Sequence, residues 1–86
     1  MKVIEKIKLD RTESCGSKSP LSIMLDAIRK IKECDESVEI LMNDYDWLLS
    51  LKYILQVNDK KMKVEEKGSE EHYLKVEVSM DCSQSN

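Results

Sequence analysis

The sequence predicts an α+β two-layer sandwich, ordered β-α-β-α-β-β, with two helices on one face of a mixed four-stranded sheet. Three observations carry this. Apolar residues recur at three- and four-residue spacing in two stretches, 20–33 and 45–57, and alternate with charged residues elsewhere. The chain has 86 residues, enough for one small domain with a thin core. Most of the alternating segments have one charged parity, as a sheet with one face in water requires.

Residues 2–9 open the chain as a strand. Val3, Ile7 and Leu9 share one parity, Lys6 and Lys8 the other, with Ile4 on the charged side and Glu5 interrupting the apolar side. The polar run "DRTESCGSKS" is a loop, and at ten residues it is the longest, the natural place for functional side chains. Ser19 is a suitable N-cap. Pro20 falls at the first helical position, where a missing N–H costs nothing. Leu21, Met24, Leu25, Ile28 and Ile31 then form one apolar stripe, and Lys30 and Lys32 complement the helix dipole.

After the turn "ECDES", residues 38–43 form a short strand with Val38, Ile40 and Met42 on one face. The second helix is capped by Asp44 or Asp46 and buries Trp47, Leu48, Leu51, Ile54 and Leu55. A hairpin follows, with strands near 61–66 and 71–80 and a turn around Gly68. Leu74, Val76, Val78 and Met80 alternate with Lys75, Glu77 and Ser79 in the clearest strand pattern of the chain. Residues 1–80 make a single domain, and 81–86 a flexible polar tail.

Composition narrows the function. The net charge is -3, with acids and bases interspersed, and only one Trp and no Phe are present. No basic stripe or aromatic platform for nucleic acid results. No segment is long enough to cross a membrane, and the start lacks the apolar region of a signal peptide, so the expected location is cytoplasmic. Three cysteines, Cys15, Cys34 and Cys82, with no C-x-x-C and one distant histidine, do not make a zinc site. In a reducing compartment all three are expected as free thiols, Cys34 near a helix end and Cys82 in the tail. His72, without a partner acid or nucleophile, is expected to be a surface residue at the start of the last strand.

The element order and the cysteine-bearing loop before the first helix resemble the TusA/SirA-like sulfur-carrier family. The likeness rests on Leu9-Asp10 at the end of the first strand, on Pro20 with "LSIMLDAIRKI", on "VEILMND" before a helix, and on the final hairpin, together covering about residues 3–80. Counting back from Pro20, the family cysteine falls on Ser17, with Lys18 and Ser19 between; counting forward from Leu9-Asp10 it falls near Gly16. Cys15 lies two residues from the first of these registers and one from the second, followed by Gly16 where the family has a proline.

The resemblance implies a sulfurtransferase-type carrier that passes a persulfide sulfur between donor and acceptor proteins. That chemistry needs no metal or organic cofactor, and a monomer is the simplest reading. Cys15 would be the nucleophile. Gly16, Ser17, Lys18, Ser19 and Pro20 would supply the turn, the cation, the hydroxyls and the helix N-terminus that favour a thiolate. The alternative is a non-catalytic interaction or regulatory module of the same fold, since a serine at position 17 cannot carry a persulfide.

Overall fold

The computed structural model describes residues 2–12, 19–58 and 61–82. It has the expected order: β1 (Lys2–Leu9), α1 (Pro20–Ile28), β2 (Glu36–Met42), α2 (Tyr45–Asn58), β3 (Met62–Glu70) and β4 (Tyr73–Met80). The strands form one mixed sheet in the order β1-β2-β4-β3, with β1 and β2 parallel and β4 antiparallel to both its neighbours. Both crossovers, β1-α1-β2 and β2-α2-β3, advance in one direction across the sheet. The right-handed rule therefore places both helices on one face.

The core lies between these layers. Val38, Ile40 and Met42 of β2 and Val76 and Val78 of β4 meet Met24, Ala27 and Ile28 of α1 and Leu48, Leu51 and Leu55 of α2, all buried. Leu25 and Trp47 pack against this cluster from its rim. The outer face of the sheet carries a mosaic of charge, in which Lys75 approaches Glu39 and Glu70, and Lys67 approaches Glu65 and Glu77. These pairs, exposed at Lys67, Glu65 and Glu70 and half-buried at Glu39 and Glu77, keep the face wet and contribute little stability where they are exposed. Beneath them Ser37 donates to Glu77 Oε2 at 3.3 Å, whereas the hydroxyl of its cross-strand neighbour Ser79 is buried without a hydrogen-bond partner among the described residues.

Four local features differ from the sequence expectation. First, α1 ends at Ile28 rather than at residue 33. Lys30 and Ile31 donate to carbonyls only three residues back, which tightens the chain. The Glu36 carboxylate then accepts from the Lys32 and Glu33 N–H groups at 2.7 and 3.0 Å, fixing a turn in place of further helix. These bonds pull the Glu36 carboxyl below its ordinary value.

Second, the β1–β2 register shifts between Val3 and Glu5. The extra residue, Ile4, packs against the core, and Val3 is exposed instead. Glu5 remains on the inward parity but reaches past the core to Lys30 Nζ at 2.8 Å. Third, β2 begins at Glu36, two residues earlier than alternation suggests, because β1 pairs with it from Lys2 onward. Fourth, the hairpin turns at Glu71 and His72, both with positive φ (53° and 83°), while Gly68 sits inside β3 at a register shift. Two central residues with positive φ suit the right-handed twist of the flanking strands. Gly68, at φ 112°, supplies the bulge instead of the turn. His72 is thus an exposed turn residue rather than the first residue of a strand.

Candidate functional site

Parallel pairing brings the C-terminal ends of β1 and β2 to one edge of the sheet, with Leu9 opposite Met42. The start of β4 joins them, since Met42 also pairs with Leu74. The N-termini of both helices open at the same edge. All residues just beyond these strand ends, from positions far apart in sequence, therefore converge there.

Asp10 is the hub of this convergence. Its Oδ1 accepts from the Thr12 N–H at 2.8 Å, the Thr12 hydroxyl at 2.6 Å and the Asn43 amide at 3.0 Å. Its Oδ2 accepts from the Tyr73 hydroxyl at 2.6 Å. The Arg11 N–H donates to Asn43 Oδ1 at 2.8 Å, and Lys8 Nζ lies 4.6 Å from the centre of the Tyr73 ring. Three strands and the first residues of the β1–α1 connection are thereby joined through one carboxylate. The donors, the Thr12 hydroxyl and Tyr73 foremost, hold the Asp10 carboxyl far below the ordinary carboxylate range.

That shift has a definite sign. The native chain binds fewer protons at Asp10 than the unfolded chain does. The network's contribution is therefore present above the unfolded carboxyl value, near pH 4, and is lost as pH falls below it. Replacing Asp10 by Asn is expected to lower stability at pH 7 and to flatten the decline in acid, measured as urea unfolding between about pH 2 and pH 7. An unchanged acid slope in that variant would remove Asp10 from the network.

The other end of the connection is also fixed. Ser19 is the N-cap of α1, its side chain accepting from the Ser22 N–H at 3.1 Å, with Pro20 in the first turn. Asp44 caps α2 in the same way, accepting from the Asp46 N–H at 3.0 Å. Of the residues the sequence assigns to the site, Ser19 and Pro20 are where they were expected. Cys15, Gly16, Ser17 and Lys18 lie outside the described residues. Leu9-Asp10 entered the reading only as a family mark. The roles of Thr12, Asn43 and Tyr73 were missed, and no local pattern joins them: the partners of Asp10 lie 2, 33 and 63 positions away.

The opposite edge of the sheet corrects the reading of the other thiols. Cys34, in the turn before β2, and Cys82, just after β4, form a disulfide with Cα atoms 6.1 Å apart. They meet because β2 and β4 are antiparallel neighbours, with Ser37 opposite Ser79. The Asp81 N–H, which donates to the Lys61 carbonyl, holds the chain beside β3 just before Cys82. Neither cysteine is the free thiol that a reducing compartment suggests.

Close to that edge, a cavity of about 520 Å³ lies between the helix ends and the β3–β4 pair, lined by Ile28, Ile31, Ile54, Met62 and Met80 with Arg29 and Lys61. It is remote from the Asp10 hub. Among the described residues no cluster of ligating side chains could hold a metal, and no helix is long and apolar enough to cross a membrane. Comparison with known proteins finds no family model that matches this chain, and no curated protein or solved structure similar to it.

Proposed function

We propose that the protein is a sulfur carrier of the TusA/SirA type, passing persulfide sulfur between cytoplasmic proteins through Cys15. The observation that carries the reading is the pinning of the chain on both sides of that cysteine. Thr12, three residues before it, is bound to Asp10 by its N–H and its hydroxyl. Ser19, four residues after it, caps α1. Cys34 and Cys82 are bonded to each other, so Cys15 is the cysteine left to carry sulfur.

The chemistry is two displacements with no net oxidation. The Cys15 thiolate attacks the outer sulfur of a donor persulfide. A new S–S bond forms, the donor S–S bond breaks, and the donor leaves as a thiolate. An acceptor thiolate then attacks the outer sulfur on Cys15, which leaves as a thiolate in turn. No metal or organic cofactor enters either step. The required partners are donor and acceptor proteins, and the net charge of -3 does not favour nucleic acid. A relay of this kind belongs in the cytoplasm, where acceptor thiols are kept reduced.

Incubation with a polysulfide, or with a cysteine desulfurase and cysteine, is expected to add the mass of one sulfur atom, located at Cys15 by peptide mass spectrometry without reductant. Cys15→Ser should abolish uptake. The double variant Cys34→Ser/Cys82→Ser should retain it. Absence of uptake by the native chain would replace the carrier with the non-catalytic interaction module, the reading that Ser17 favours.

A further inference from the structure

α2 is apolar on the wrong side as well as the right one. Leu48, Leu51 and Leu55 are buried in the core, yet Tyr45, Leu49, Tyr53 and Val57 are 55%, 49%, 67% and 55% exposed. These four recur every four residues and form a single ridge about 18 Å long on the outer surface of the helix. Only Asp46 and Lys52 of the fourteen α2 residues are charged, in a chain where 36% of residues are. The ridge leaves on the order of 400 Å² of side-chain surface in water, the size of the largest apolar patch on a typical monomer, which is often an interaction site.

We propose that a second copy of this chain covers the ridge, in a two-fold dimer that pairs α2 with α2 antiparallel. The spacing is self-complementary. An axis crossing the helix at residue 51 sets Leu49 against the partner subunit's Tyr53, and Tyr45 against the partner subunit's Val57, so that every ring meets an aliphatic chain. The same axis sets Asp46 opposite Gln56 and Lys52 opposite Ser50, and no like charges meet. Antiparallel alignment also opposes the two helix dipoles.

A depression of about 360 Å³ beside the ridge, lined by Leu21, Leu49, Ser50, Tyr53 and Ile54, receives the partner's Tyr53 ring. Ser50, a small residue of that lining, lets the helices approach. Ridges with this spacing interlock at a crossing near -50°, which concentrates the contact on Leu49 and Tyr53 and leaves Tyr45 and Val57 at the rim. Burial across the two copies is on the order of 900 Å², below the range of stable specific interfaces and in that of transient ones. The association is therefore weak, and the single chain prevails in dilute solution.

Sedimentation equilibrium of the Cys15→Ser chain, which cannot form an intermolecular disulfide through that residue, tests the proposal. Between about 5 and 500 μM the average mass is expected to rise from 10.0 kDa toward twice that value. Tyr53→Glu and Leu49→Lys should each raise the midpoint concentration at least about tenfold, with an unchanged circular dichroism spectrum, because both side chains are exposed in the single chain. A single 10.0 kDa species throughout the range would overturn the dimer. A dimer whose midpoint neither variant moves would overturn its placement on α2.

Discussion

Unfolding of the Cys34→Ser/Cys82→Ser chain is expected at a stability about 3–4 kcal/mol below that of the oxidised protein. The bond closes a loop with a sequence separation of 48, and the entropy withheld from an unfolded chain by a loop of that length corresponds to about 4 kcal/mol. Both cysteines are exposed, so their replacement removes little packing and leaves the loop effect dominant. In a domain of this size the midpoint of thermal unfolding should fall by on the order of 15 °C. Urea titration of the oxidised chain, the chain in reductant and the double variant measures the effect three ways. Reduction and substitution should agree. A loss below about 1 kcal/mol in both would mean that the ring withholds far less entropy from the unfolded chain than its length gives.

Leu51→Ala is expected to cost about 2–5 kcal/mol, comparable to the disulfide. Leu51 is fully buried among residues of both helices and the two central strands, where a cavity of several methyl groups cannot collapse without moving the sheet. The informative control is two residues away. Leu49, half exposed on the outer ridge, should cost under about 1 kcal/mol as alanine, measured on dilute single chains. Similar costs at the two positions would mean that α2 is rotated relative to the sheet.

The features legible in the sequence are those written at short range. The alternation of Leu74 to Met80 identifies β4 because every second side chain must face the core. Ser19-Pro20 marks the start of α1 because cap and first turn are adjacent. The misreadings share one cause: a partner distant in sequence, or an extra residue that changes phase. Nothing within residues 29–33 announces that Glu36 will claim their N–H groups and stop α1. Ile4 looks outward until the shift in the β1–β2 register turns it inward. Gly68 is the natural choice for a turn by composition, but pairing of Glu70 with Tyr73 moves the reversal to Glu71 and His72. Periodicity reports faces and not neighbours, so the insertion of β4 between β2 and β3 was invisible, and with it the meeting of Cys34 and Cys82. The same applies at the candidate site. Asp10 was visible as a residue, whereas its hold on Asn43 and Tyr73 exists only once three strand ends share an edge.

The covalent ring has a mechanical consequence. Tension applied between the two ends of the oxidised chain cannot pass through residues 35–81, which lie inside the loop closed by Cys34 and Cys82. It acts on β1 and α1, the elements that precede the ring. β1 borders the sheet and would part from β2 one hydrogen bond after another, with extension halting at Cys34. The bond withholds from extension the residues between Cys34 and Cys82, on the order of 160 Å of taut chain. Oxidation therefore makes the molecule a tether with a fixed stop. Most of its sheet is shielded from load, and the strand that leads to Asp10 is the one that yields.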